Sequence, residues 1–98
     1  MLEKSYKQKV ISVLKDIDGL YYFVKEAKSI RGIPDIIICY KGRFVAWELK
    51  RSEKVALKKR EGYELQKYVI SKIIKSGGIA RICYPENFKE CLDELLQL

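Results

Sequence analysis

Asp35, Glu48 and Lys50 are the residues of this chain best suited to chemistry. Pro34-Asp35 precedes the β-branched run Ile36-Ile37-Ile38-Cys39-Tyr40, and a second run, Arg43-Phe44-Val45-Ala46-Trp47, closes on Glu48-Leu49-Lys50. Side chains alternate faces along a strand, so Glu48 and Lys50 share one face while Trp47 and Leu49 share the other. Lys41-Gly42 between the runs reads as a tight turn, glycine supplying positive φ. A hairpin centred there pairs positions summing to 83, which sets Tyr40 against Arg43, Ile37 against Ala46 and Asp35 against Glu48. A two-residue or a four-residue loop gives this register, and a three-residue loop would break it. Two carboxylates directly opposite on one face repel each other. A divalent cation between them would turn that repulsion into binding. With Lys50 one step further along, the group suits metal-assisted hydrolysis of a phosphodiester.

Composition narrows the chemistry. The 98 residues make one domain with a single core. There is no histidine, and the three cysteines, Cys39, Cys83 and Cys91, are not spaced as metal ligands. A zinc site, a histidine base and a Ser-His-Asp triad are excluded together. What remains is carboxylate chemistry with a hard, oxygen-loving ion, Mg2+ or Mn2+. Cysteines odd in number and set in apolar stretches read as buried hydrophobes in a reducing, intracellular setting. No apolar run approaches a membrane span and no signal-peptide pattern opens the chain.

Twenty Lys and Arg against thirteen acids give a net charge of +7. Such a surplus suits a polyanionic partner. Lys50, Arg51, Lys54, Lys58, Lys59 and Arg60 put six cations into eleven residues beside the carboxylates. That placement favours a segment that grips phosphates over a solvated loop.

The elements that must hold these residues follow from periodicity. Leu2, Tyr6, Val10, Val13, Leu14 and Ile17 predict an amphipathic helix over residues 2–17, ended near Gly19. Residues 20–26 read as a strand and 27–31 as a loop. The hairpin 35–40 and 43–50 follows, then a basic segment over 51–61 that is partly helical at most. Residues 63–76 form a second helix striped by Leu65, Val69 and Ile73 and widened by Ile70 and Ile74, with Gly77-Gly78 as its left-handed cap. Residues 79–84 form a fourth strand, reached through a helix and so parallel to its neighbour. Pro85 opens a closing helix that faces Phe88, Cys91, Leu92, Leu95 and Leu96 inward. The order αβββαβα predicts an α/β sandwich around one mixed sheet.

The ordered set resembles the PD-(D/E)xK nucleases, with Pro34-Asp35 as first element and Glu48-x-Lys50 as second. Within them it looks like the VRR-NUC (virus-type replication-repair nuclease) family. Glu3 on an early helix, Gly32-x-Pro34-Asp35, Gly42-Arg43-Phe44 leading into Glu48-x-Lys50, and Gln66 on a later helix carry the likeness from about residue 3 to about residue 84. One departure is the helix start before the glutamine, Gly62-Tyr63-Glu64-Leu65-Gln66, where the family has a Ser-Pro type start.

The resemblance implies a restriction-endonuclease-like αβββαβ core with a C-terminal helix added. It implies Asp35, Glu48, Lys50 and Gln66 as catalytic residues. Asp35, Glu48, the Leu49 carbonyl and Glu3 would be ligands of Mg2+ or Mn2+. Arg51, Lys54, Lys58, Lys59 and Arg60 would bind branched or duplex DNA. It further implies 5′-phosphate and 3′-hydroxyl products and a phage or bacterial-host replication-repair setting. A chain this short has one site, so cutting two strands symmetrically calls for a homodimer, which suits a four-way junction.

Other readings compete. Asp35 alone would cap a loop after Pro34. Glu48 and Lys50 would serve as edge-strand charges, and Glu3 and Gln66 as exposed helix surface. Trp47 and the tyrosines read as packing rather than base-stacking platforms. At the level of the whole chain, the rivals are a non-catalytic basic nucleic-acid-binding module and the nuclease subunit of a larger replication-repair assembly.

Overall fold

A computed structural model of the chain describes residues 3–26, 31–59 and 62–98, the side chain of Glu3 excepted. Four strands form one sheet in the order β1-β2-β3-β4. Around it the chain runs α1 (Glu3–Lys15), β1 (Leu20–Val24), β2 (Ile36–Tyr40), β3 (Arg43–Leu49), α2 (Glu53–Ala56), α3 (Tyr63–Lys75), β4 (Ile79–Cys83) and α4 (Phe88–Leu96). Strands β1, β2 and β3 are antiparallel neighbours, and β4 returns through α3 to lie parallel to β3. The architecture is α/β, a mixed sheet flanked by helices, with the short α2 added to the expected order. Among the described residues no helix is long and apolar enough to cross a membrane.

The hairpin has the expected register. Ile37 pairs with Ala46 and Tyr40 with Arg43. Its turn is the two residues Lys41 and Gly42, with φ of 54° and 73°. Two successive left-handed residues match the right-handed twist of the flanking strands, which fixes the register.

Alternation along the strands divides the side chains between two faces. On the first, Tyr6, Val10 and Leu14 from α1 and Cys91 and Leu95 from α4 meet Ile36, Ile38, Val45, Trp47, Leu49 and Cys83 in the buried core. The Trp47 and Tyr6 rings each stand edge-on to Phe88, with centroids 5.9 and 6.2 Å away. Trp47 is therefore core, as expected. The second face carries Ile37, Ala46, Glu48 and Ala80; α3 packs over it, and Val55 and Ala56 of α2 reach Ile82 beside Lys50.

Four expectations need correction. Helix α4 starts at Phe88 rather than at Pro85, because Asn87 holds a turn: its Oδ1 accepts the Tyr84 N–H at 2.8 Å and its Nδ2 donates to the Ile82 carbonyl at 3.0 Å. Leu96 is exposed, one residue past Leu95 and so turned off the packed stripe. Leu65 and Ile74 of α3 are exposed too, on the flanks of the helix that the sheet does not cover. Cys39 is exposed where the helices leave the second face open, whereas Cys83 and Cys91 are buried.

Candidate active site

The chain segment before β2 is held by features that explain the Gly32-Ile33-Pro34-Asp35 run. Gly32 adopts φ of +87°, and a Cβ there would lie 2.7 Å from Leu65 Cγ, with Val69 also in contact. Only glycine lets the backbone pass this close beneath α3 in that conformation. Beyond the last β2–β3 pair, the register sets Asp35 opposite Glu48 one step on and Pro34 opposite Leu49 two steps on. Proline has no N–H, so the Leu49 carbonyl lacks its ladder donor. The Leu49 N–H turns instead to the Asp35 carboxylate, donating to Oδ2 at 2.8 Å.

Glu48 stands on the same face, opposite Asp35 in the register. It is 4 % exposed, the one charged residue among those described to be so buried. Strand β3 is interior, flanked by β2 and β4. The reading of Glu48 as an edge-strand charge is thereby removed. The Lys50 ammonium is 3.5 Å from Glu48 Oε2, while Glu48 Oε1 is buried without a hydrogen-bond partner.

These surroundings govern protonation. Burial first, then the Asp35 charge and the hydrogen bond between the two carboxyls, push Glu48 up to about 7. Lys50 and Lys25 oppose that shift. Near neutrality Glu48 is poised to exchange its proton for another cation.

The residues fit a hard divalent ion. Two carboxylates and a main-chain carbonyl without a ladder donor are all oxygen ligands. The orphaned Glu48 Oε1 and the like-charge pair supply the unsatisfied negative charge. Among the described residues no group of three or more acids or cysteines that could hold a metal is brought together, and Asp35 and Glu48 form a pair. The expectation for Glu3 concerns a side chain outside the described residues.

Lys50, Lys58, Tyr63, Gln66 and Lys67 line one small cleft with room for ordered water. Lys50 is the side chain shared by this cleft and the carboxylate pair. Gln66 thus comes to the site through Lys50 and the cleft, and no hydrogen bond joins it to either carboxylate. Arg51, Lys54, Lys58 and Lys59 are all exposed beside it, and Arg60 lies outside the described residues. Helix α2 gives this segment a fixed start: Ser52 Oγ accepts the Val55 N–H at 3.2 Å, and Glu86 accepts the Glu53 N–H at 3.2 Å.

Sequence reasoning missed Lys25. It follows Tyr21 and Phe23 at the strand interval, and the β1–β2 pairs sum to 60, which sets Lys25 beside Asp35. The Lys25 N–H donates to the Asp35 carbonyl at 2.8 Å. A turn signal between residues 24 and 36 would have given this register, but the connecting segment carries none.

Comparison of the chain with family models, with curated proteins and with solved structures found no match.

Proposed function

We propose that the protein is a Mg2+- or Mn2+-dependent nuclease of the PD-(D/E)xK type, similar to VRR-NUC proteins and built on a restriction-endonuclease-like core. Its substrate would be DNA, four-way junctions or other branched forms above all. The observation that carries the reading is the buried Glu48 opposite Asp35 in the hairpin register, with Glu48 Oε1 unpartnered and Lys50 3.5 Å from Oε2.

Asp35, Glu48 and the Leu49 carbonyl would hold the ion. When bound it supplies Lewis-acid polarisation of the scissile phosphate and a more acidic attacking water. Lys50, at the junction of cleft and carboxylates, orients that water and places positive charge where negative charge develops. Gln66, across the cleft, offers an amide to the same water or phosphate. Attack forms a P–O bond to water and breaks the bond to the 3′ oxygen, leaving a 5′-phosphate and a 3′-hydroxyl. The exposed cations at 51, 54, 58 and 59 grip neighbouring phosphates without regard to sequence.

A homodimer supplies the second site for symmetric cutting. The sheet face beside α3 supports that reading. Tyr21 aligns with Cys39 and Cys39 with Phe44 across the strands, and Phe23 sits in the next row. Tyr21, Phe23 and Phe44 are 69, 55 and 46 % exposed. They present on the order of 300 Å² of aromatic surface, the centre of an interface that needs about 800 Å² per partner.

The non-catalytic reading draws on one observation. The Lys50–Glu48 ion pair and the Leu49–Asp35 hydrogen bond already occupy one oxygen of each carboxylate. Incubating the purified chain with labelled branched and linear DNA, in Mg2+, Mn2+ or EDTA, separates the two. Metal-dependent cleavage supports the nuclease, and DNA binding without cleavage in any metal supports the binding module.

A further inference from the structure

Proline at position 34 creates a structural need. The segment that carries Asp35 cannot be held to β3 by ladder bonds at Pro34, and its other neighbour must secure it. Lys25 does so twice. Its main-chain N–H donates to the Asp35 carbonyl at 2.8 Å, and its Nζ donates to the Ile33 carbonyl at 2.8 Å. The two bonds bracket Pro34, one on each side. Gly32 packs the same segment from below α3, and Asp35 Oδ2 completes the tie to Leu49.

We propose that Lys25 is a positioning residue of the site, clamping Ile33-Pro34-Asp35 so that the Asp35 carboxylate meets the Leu49 amide and faces Glu48. Strand alternation puts the Lys25 side chain on the face of Asp35 and Glu48, at the β1 end of the row Lys25-Asp35-Glu48, with Lys50 two residues further along the β3 chain on the same face. An ammonium has three donors and the Ile33 carbonyl takes one. Its charge also acts on Glu48, opposing protonation there. Removing it therefore frees a carbonyl, loosens the chain around Asp35 and leaves the carboxylate pair with less compensation. The functional consequence rests on the nuclease reading, whereas the positioning itself does not.

The test uses the full chain and three proteins: wild type, Lys25→Met, which keeps the apolar stem, and Lys25→Arg, which restores a charged donor. Amide hydrogen exchange without metal reads the clamp directly, because the Leu49 N–H is protected by Asp35. Lys25→Met is expected to speed Leu49 exchange by about tenfold or more while Ile38 and Val45 keep their protection, with Lys25→Arg close to wild type. Mn2+ affinity by calorimetry should fall in step, about fivefold or more for Lys25→Met. Unchanged Leu49 exchange overturns the proposal, and so does equal acceleration across the whole sheet, which would make Lys25 a general stabiliser of the fold. If Mn2+ binds none of the three proteins, the metal reading fails while Leu49 exchange still decides the role of Lys25.

Discussion

Asp35 accepts the Leu49 amide hydrogen at 2.8 Å, at the point where the β2–β3 ladder offers Leu49 only a proline. A side chain thus completes what the backbone cannot. The same contact turns the Asp35 carboxylate toward β3 and brings it against Glu48. The proline leaves the Leu49 carbonyl without a ladder donor, and the aspartate takes the Leu49 N–H.

Glu48→Ala and Lys50→Ala should each lower DNA cleavage by a factor on the order of 10² or more, as loss of a transition-state charge partner does elsewhere. Circular dichroism should show the fold intact. Above pH 7, where Glu48 is ionised, Glu48→Ala also relieves a like-charge contact, so its stability without metal there should match or exceed wild type. Loss of activity accompanied by unfolding would leave the catalytic role of Glu48 without support.

Stability without metal should depend on pH with a definite sign. Glu48 titrates near 7 in the folded chain, above its ordinary value of 4.5. Between those values the folded state binds more protons than the unfolded one, so stability falls as pH rises through that window. The full effect is on the order of 3 kcal/mol, from 1.4 kcal/mol per unit. Thermal denaturation at pH 5 and pH 8 should show this loss in wild type and a smaller one in Glu48→Gln. Saturating Mn2+ should reverse it at pH 8.

Lys58→Ala combined with Lys59→Ala should weaken binding of every DNA form alike. Each lost phosphate contact flattens the slope of log affinity against log salt by roughly 0.9 on duplex DNA. A salt titration by fluorescence anisotropy checks this. An unchanged slope would place the grip elsewhere.

The proposed homodimer requires wild type to sediment as a dimer and Tyr21→Ser with Phe23→Ser to raise its dissociation constant at least about tenfold, since exposed aromatic anchors carry much of an interface. Sedimentation equilibrium reads the change. A wild-type monomer at all concentrations would contradict the two-fold arrangement.

Much of this arrangement was legible in the sequence because local signals determine it. Lys41-Gly42 demands a two-residue turn, and that turn alone sets Ile37 on Ala46 and Asp35 beside Glu48. The 3.6-residue stripe of Tyr6, Val10 and Leu14 placed α1 on the core face. What stayed hidden depends on long-range packing. Nothing between residues 24 and 36 fixes how β1 meets β2, so Lys25 could not be placed beside Asp35. Nor does a sequence show how much of the second face the helices leave open, which is why Cys39, Leu65 and Ile74 stand exposed rather than buried. Gln66 could be assigned to a helix, but its approach to Lys50 across a cleft follows from how α3 docks.

The most direct measurement is a crystal structure of the protein soaked with Mn2+. One oxygen each from Asp35 and Glu48 should lie about 2.0–2.3 Å from a common ion. The Leu49 carbonyl should share its shell, and Lys50 Nζ should leave Glu48 for the cleft side of the ion. Asp35 and Glu48 still in mutual contact at saturating Mn2+ above pH 7, with Lys50 paired to Glu48 and no ion between the carboxylates, would contradict the nuclease reading.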